Sequence, residues 1–134
     1  MRICSSANSS DNPGTHREPH LTTLHATNKL IIVGASTRAA AFSTERAGLA
    51  PICADLFADL DLAARCEVTQ VSGNEYPHGL EQAQRLFLPG PWAYVGALEN
   101  HPELVGRIAR QRPLGGNGPE VLRRVRDPFE VVAC

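Results

Sequence analysis

The spacing of apolar positions changes abruptly at residue 34. Leu30, Ile31, Ile32 and Val33 form an unbroken apolar run that stops at Gly34. A small polar turn follows, and then an Ala-rich stretch with helical spacing that ends at Gly48. A short continuous run bounded by glycine predicts a strand buried on both faces, here 29–33. The next segment predicts a helix over 38–47, with Ser36 or Thr37 as N-cap and Gly48 just beyond its end. A second apolar run predicts a strand over 51–54 that closes on Asp55. The same reading continues with a helical turn over 60–64, an alternating β-branched strand over 67–71, and turn chemistry over 73–77. A helix over 79–87 is broken by Pro89-Gly-Pro91, and a strand over 92–95 ends at Gly96. Asn100 and Glu103 stand at capping-box spacing around Pro102 and predict a helix to about 111. Asn117 and Glu120 repeat that spacing before a last helix, 119–125.

Strands alternating with helices place the chain in the α/β class, as a three-layer Rossmann-like domain with a mainly four-stranded parallel sheet. Pairing of strand 92–95 with strand 29–33, on the side away from 51–54, predicts the order 3-2-1-4. Ile31, Ile32, Val33, Ile52, Val68, Val71, Val95 and Leu98 are then expected near the core. Residues 1–28 are rich in Ser, Asn, Thr, Pro and His without periodicity, and read as a disordered leader. The domain spans 29–128, and 129–134 reads as the start of a linker, which makes the chain look cut short.

Composition narrows the function. With 134 residues the chain suits one domain. A net charge of −1 offers neither a nucleic-acid patch nor a polybasic membrane surface. No apolar run approaches the roughly 20 residues of a membrane span, and no signal-peptide core is visible. Cys4, Cys53, Cys66 and Cys134 are scattered without a C-x-x-C pair, which predicts reduced thiols in a cytoplasmic protein rather than a zinc site or a disulfide framework. His16, His20 and His25 fall in the leader and predict no metal site.

In such a sheet ligands bind outside the carboxyl ends of the strands, where neighbouring connections diverge. That places a crevice between loop 34–38 and loop 96–100. The first loop offers the main chain of Gly34, Ala35, Ser36 and Thr37 and the guanidinium of Arg38, suited to a carboxylate or phosphate. The second offers Gly96, Glu99 and Asn100, and Asp55 borders the same rim. Each has a plainer role: Gly34 in the turn, Ser36 or Thr37 as a cap, Arg38 in solvent, Asp55 and Asn100 as caps, Glu99 favouring a helix dipole. Asp59 and Asp61 read as turn residues rather than a cation site, Trp92 and Tyr94 as core and rim, and His78 and His101 as surface. Gly34-Ala-Ser-Thr-Arg-Ala39 matches the G-x-G-x-x-G/A dinucleotide signature only at its first and last positions, and no P-loop motif occurs.

Several segments resemble a known group. Val33-Gly-Ala-Ser-Thr-Arg-Ala-Ala-Ala-Phe-Ser43, Ala54-Asp-Leu-Phe-Ala-Asp-Leu-Asp-Leu62, Gly96-Ala-Leu-Glu-Asn100, Pro113-Leu-Gly-Gly-Asn117 and Val125-Arg-Asp-Pro128 are similar to predicted ATP-grasp carboligases, relatives of biotin carboxylase and of carboxylate–amine ligases. The resemblance implies an N-terminal, pre-ATP-grasp domain whose first loop, 34–38, helps to hold a small carboxylate- or phosphate-bearing acceptor. It implies that ATP and Mg²⁺ belong to absent ATP-grasp domains, so that this chain holds no cofactor and does not catalyse alone. A homodimer is compatible with it. The competing readings are a stand-alone nucleotide- or CoA-binding regulatory module and a truncated reading frame.

Overall fold

The computed structural model describes residues 28–129. The leader 1–28 apart from Asn28, and the linker 129–134 apart from Phe129, lie outside the described residues. Four parallel strands, β1 (Lys29–Gly34), β2 (Ala50–Asp55), β3 (Glu67–Gln70) and β4 (Trp92–Val95), form one sheet in the order β3-β2-β1-β4. The expected class and order are therefore observed. Five helices connect and follow them: α1 (Arg38–Arg46), α2 (Leu60–Ala63), α3 (His78–Gln84), α4 (Pro102–Ala109) and α5 (Pro119–Arg126).

The uninterrupted apolar run of β1 has its cause in the two faces of the sheet. Successive side chains of a strand point to opposite sides. Ile31 and Val33, with Ile52 and Ala54 of β2, face a core closed by Leu80, Leu104, Val105, Ile108 and Leu122 from α3, α4 and α5. Ile32 and Cys53 face a smaller cluster closed by Ala41 of α1 and Leu62 of α2. Of the residues expected in the core, Val68 and Val95 are half-buried against that smaller cluster and the rest are buried. Trp92 is fully buried.

Gly48 (φ 80°) ends α1 in the left-handed conformation that glycine adopts without steric cost. The two Asn-x-x-Glu capping boxes do not form. The N-caps of α4 and α5 are His101 and Gly118, and neither cap makes a side-chain hydrogen bond. Asn100 is drawn into a 3-10 turn, Leu98–Asn100, while Pro102 starts α4 one residue later. Glu103 and Glu120 both turn to Arg123, at 2.7 and 2.9 Å, tying α4 to α5. A tertiary ion pair thus takes the Glu103 carboxylate, and a pair within α5 takes that of Glu120.

Candidate functional site

The carboxyl ends of β1, β2 and β4 form the rim, and a buried carboxylate organises it. Asp55 ends β2 and is only 2% exposed. Its Oδ2 accepts the Thr37 N–H at 2.5 Å and the Thr37 hydroxyl at 2.8 Å. Its Oδ1 accepts the N–H groups of Phe57 and Ala58 at 2.7 and 2.9 Å. One side chain therefore pins the start of α1 and the turn after β2, and it holds Ala58 at φ 47°, a conformation that alanine rarely adopts. Thr37 is the N-cap of α1, as its sequence position suggests, yet its hydroxyl serves Asp55 and not the helix.

Between β1 and β4 the backbones meet. The Ala35 N–H donates to the Gly96 carbonyl at 3.1 Å. A Cβ on Gly34 would lie 2.1 Å from the Val95 oxygen, so glycine is required there by the neighbouring strand. Gly96 (φ 52°) and Ala97 (φ 67°) then turn the chain away in left-handed conformations. The groove expected between loops 34–38 and 96–100 is closed at its base by these contacts.

Arg38 is exposed at the start of α1, and its guanidinium is paired with Asp61 of α2 and lies 5.9 Å from the Phe42 ring centre. Ser36 is exposed beside Gly96. Asp61 is thereby a partner of Arg38, and its Oδ1 accepts the N–H of the next residue, Leu62, at 2.9 Å. Glu99 is half-buried, and its charge helps to raise the Tyr76 and Tyr94 hydroxyls above their usual range, chiefly a consequence of their own burial.

An opening lies alongside, on the face covered by α3 and α4. Asn100, His101, Pro77, His78 and Glu103 line a cleft of about 320 Å³ at the amino ends of both helices. His101 is half-buried, its ring meeting Tyr76 edge-on at 5.3 Å, so it is not a solvated surface residue as its isolation in the sequence suggests. The Tyr76 hydroxyl is buried with no hydrogen-bond partner among the described residues. Arg107 at the cleft's edge is held by Glu81 in a two-pronged pair, with contacts of 2.7 to 3.1 Å. That pair, with Arg85 beside it, keeps the Glu81 carboxyl below its usual range.

Among the sequence-chosen residues, Gly34, Ala35, Thr37, Asp55 and Gly96 are joined in one hydrogen-bonded rim, while Arg38 and Ser36 lie on its α1 side and Glu99 and Asn100 on its α4 side. Three features have no sequence signal of their own: the His101–Tyr76 cleft, the Glu81–Arg107 pair, and Arg112. Arg112 is 8% exposed and donates to Gln84 Oε1 and to the carbonyls of Gln84, Phe87 and Leu88 at 2.7 to 2.8 Å, ending α3. Among the described residues no group of three or more His, Cys, Asp or Glu is arranged to hold a metal, and no helix is long and apolar enough to cross a membrane. Comparison with known protein families, with curated proteins and with solved structures returns no match.

Proposed function

We propose that this chain is the substrate-binding domain of an ATP-dependent carboxylate–amine ligase of the ATP-grasp kind. Its task is to hold a small carboxylate- or phosphate-bearing molecule at the carboxyl rim. The observation that carries the reading is topological. The cores place α1 and α4 on opposite faces of the sheet, next to the adjacent strands β1 and β4. Divergence of that kind is where open parallel sheets bind ligands. The likeness of residues 29–128 to the domains that precede ATP-grasp modules supplies the substrate class.

In this reading Arg38 receives the anionic end of the ligand, helped by the amino end of α1, whose first turn carries no acidic side chain. Asp55 positions that turn. Asp61 competes with the ligand for the Arg38 guanidinium, so the isolated domain binds weakly. ATP and Mg²⁺ belong to the ATP-grasp domains of a complete enzyme, in the cytoplasm, and the chemistry assigned to this chain is binding alone.

The test is calorimetric titration of the purified chain with inorganic phosphate and with succinate. Arg38→Ala should abolish binding and Asp61→Asn should tighten it, both with little change in melting temperature because the pair is exposed. Mg-ATP should yield no phosphate release. Equal affinity in all three proteins, or tight binding of CoA or a nucleotide by the wild type, would overturn the reading.

A further inference from the structure

Two cysteines that lie 13 positions apart in the chain meet in the smaller core. Cys53 sits in the middle of β2, and Cys66 immediately precedes β3. Their sulfurs are 3.8 Å apart, and both are free thiols. Cys53 is fully buried beneath α1 and α2. Cys66 is half-buried, its thiol directed at the Leu62 carbonyl (3.6 Å), and it lines an open cleft of about 530 Å³ at the amino ends of the strands, with Lys29, Glu45 and Arg65.

We propose that Cys53 and Cys66 form a built-in oxidation site, a dithiol that hydrogen peroxide converts to an intramolecular disulfide. The two sulfurs need to approach by less than about 2 Å to reach bonding distance. Cys66 can supply the movement, because it lies outside the regular strand and one side of it faces the cleft. The peroxide reaches Cys66 first. Its sulfur, as thiolate, attacks one peroxide oxygen and the O–O bond breaks. This leaves a sulfenic acid, and the departing hydroxide takes up the proton that Cys66 released, giving the first water. Cys53 then attacks the sulfenic sulfur and the S–O bond breaks. The departing hydroxide takes the Cys53 proton and leaves as the second water. The two sulfurs together lose two electrons and the peroxide gains them.

Burial pushes the Cys53 thiol up to about 12 and raises Cys66 as well. Both are therefore protonated at neutral pH, and the site responds to sustained oxidant rather than to brief exposure. The crosslink encloses residues 54–65, the segment that carries Asp55, the turn at Ala58, and α2 with Asp61. It would tie one wall of the rim to the sheet.

The experiment uses the full chain with Cys4→Ser and Cys134→Ser, so that only the pair can react. The reduced protein is treated with hydrogen peroxide, blocked with N-ethylmaleimide and digested with trypsin without reductant. The expected product joins peptide 47–65 to peptide 66–85. The melting temperature should rise by about 10 °C, as closing a loop of this size predicts, and fall back with dithiothreitol. Cys66→Ser, and separately Cys53→Ala, should remove both effects. Recovery of the two peptides unlinked, with Cys66 as a sulfinic acid or joined only to a second chain, would overturn the proposal. A linked product that melts below the reduced protein would do the same.

Discussion

Removing the Asp55 carboxylate tests whether the rim is held by the protein itself. In Asp55→Ala four donors lose their acceptor: the Thr37 N–H and hydroxyl, and the N–H groups of Phe57 and Ala58. They do not weigh equally. Thr37 is 0% exposed, so both of its donors are left buried, whereas Phe57 is 62% exposed and its N–H can turn to water. A buried donor left unsatisfied costs about 1–3 kcal/mol. The two Thr37 donors therefore account for about 2–6 kcal/mol, with roughly 1 kcal/mol more from the turn at Phe57 and Ala58, where the bonds are to a charged acceptor. Relief of the carboxylate's own desolvation offsets part of this, and the expected loss is about 3–4 kcal/mol. That is a large fraction of the ~5–15 kcal/mol that holds a domain together, and corresponds to a fall of more than about 12 °C in melting temperature. Asp55→Asn retains one acceptor oxygen and should cost about half as much. Thr37→Val should cost about 1 kcal/mol alone but less in the Asp55→Ala background, where the hydroxyl has lost its carboxylate partner. Urea denaturation of the four proteins, read at constant m, gives the cycle. A loss below about 1 kcal/mol for Asp55→Ala, together with a change in phosphate affinity, would refute the structural role and return Asp55 to the ligand.

Further outcomes follow from other contacts. Gly34→Ala places a Cβ 2.1 Å from the Val95 oxygen and should cost about 3 kcal/mol or more by prising β4 from β1, measured by the same denaturation. Arg112→Met strips four carbonyl and amide acceptors at the end of α3 and should destabilise by about 2–4 kcal/mol, with amide exchange rising first at Phe87 and Leu88. The Glu81 carboxyl is held below its usual range, first by its hydrogen bonds to Arg107. A group whose folded-state value is lowered contributes stability that is complete above its unfolded value and is lost as pH falls through the folded one. Stability should therefore decline as pH drops below about 4.5, and Glu81→Gln should flatten that decline; an identical pH profile in the variant would exclude the pair as its source.

Much of the fold was legible along the chain because its signals are local. The four apolar residues after Lys29, the stop at Gly34 and the left-handed Gly48 need no partner to be recognised, and all four strands appear where periodicity puts them. The order β3-β2-β1-β4 followed from the continuous burial that only an inner strand requires. The rim was legible in outline, since loops 34–38 and 96–100 and Asp55 do converge at one end of the sheet. What they do there was decided only in three dimensions. Asp55 and Thr37 are 18 positions apart, and their hydrogen bonds exist because β2 lies beside β1. Asn100 and Asn117 had the spacing of caps, but Glu103 pairs with Arg123 of α5, 20 positions away, a contact that spacing does not encode, while Glu120 pairs with the same Arg123 within its own helix. Cys53 and Cys66 looked scattered, and His101 looked solitary, until parallel pairing and helix packing brought each to its neighbour. Periodicity reports how one segment divides apolar from polar faces, while hydrogen bonds, ion pairs and thiol contacts depend on the distance between segments, and that distance is set when the two faces of the sheet are packed.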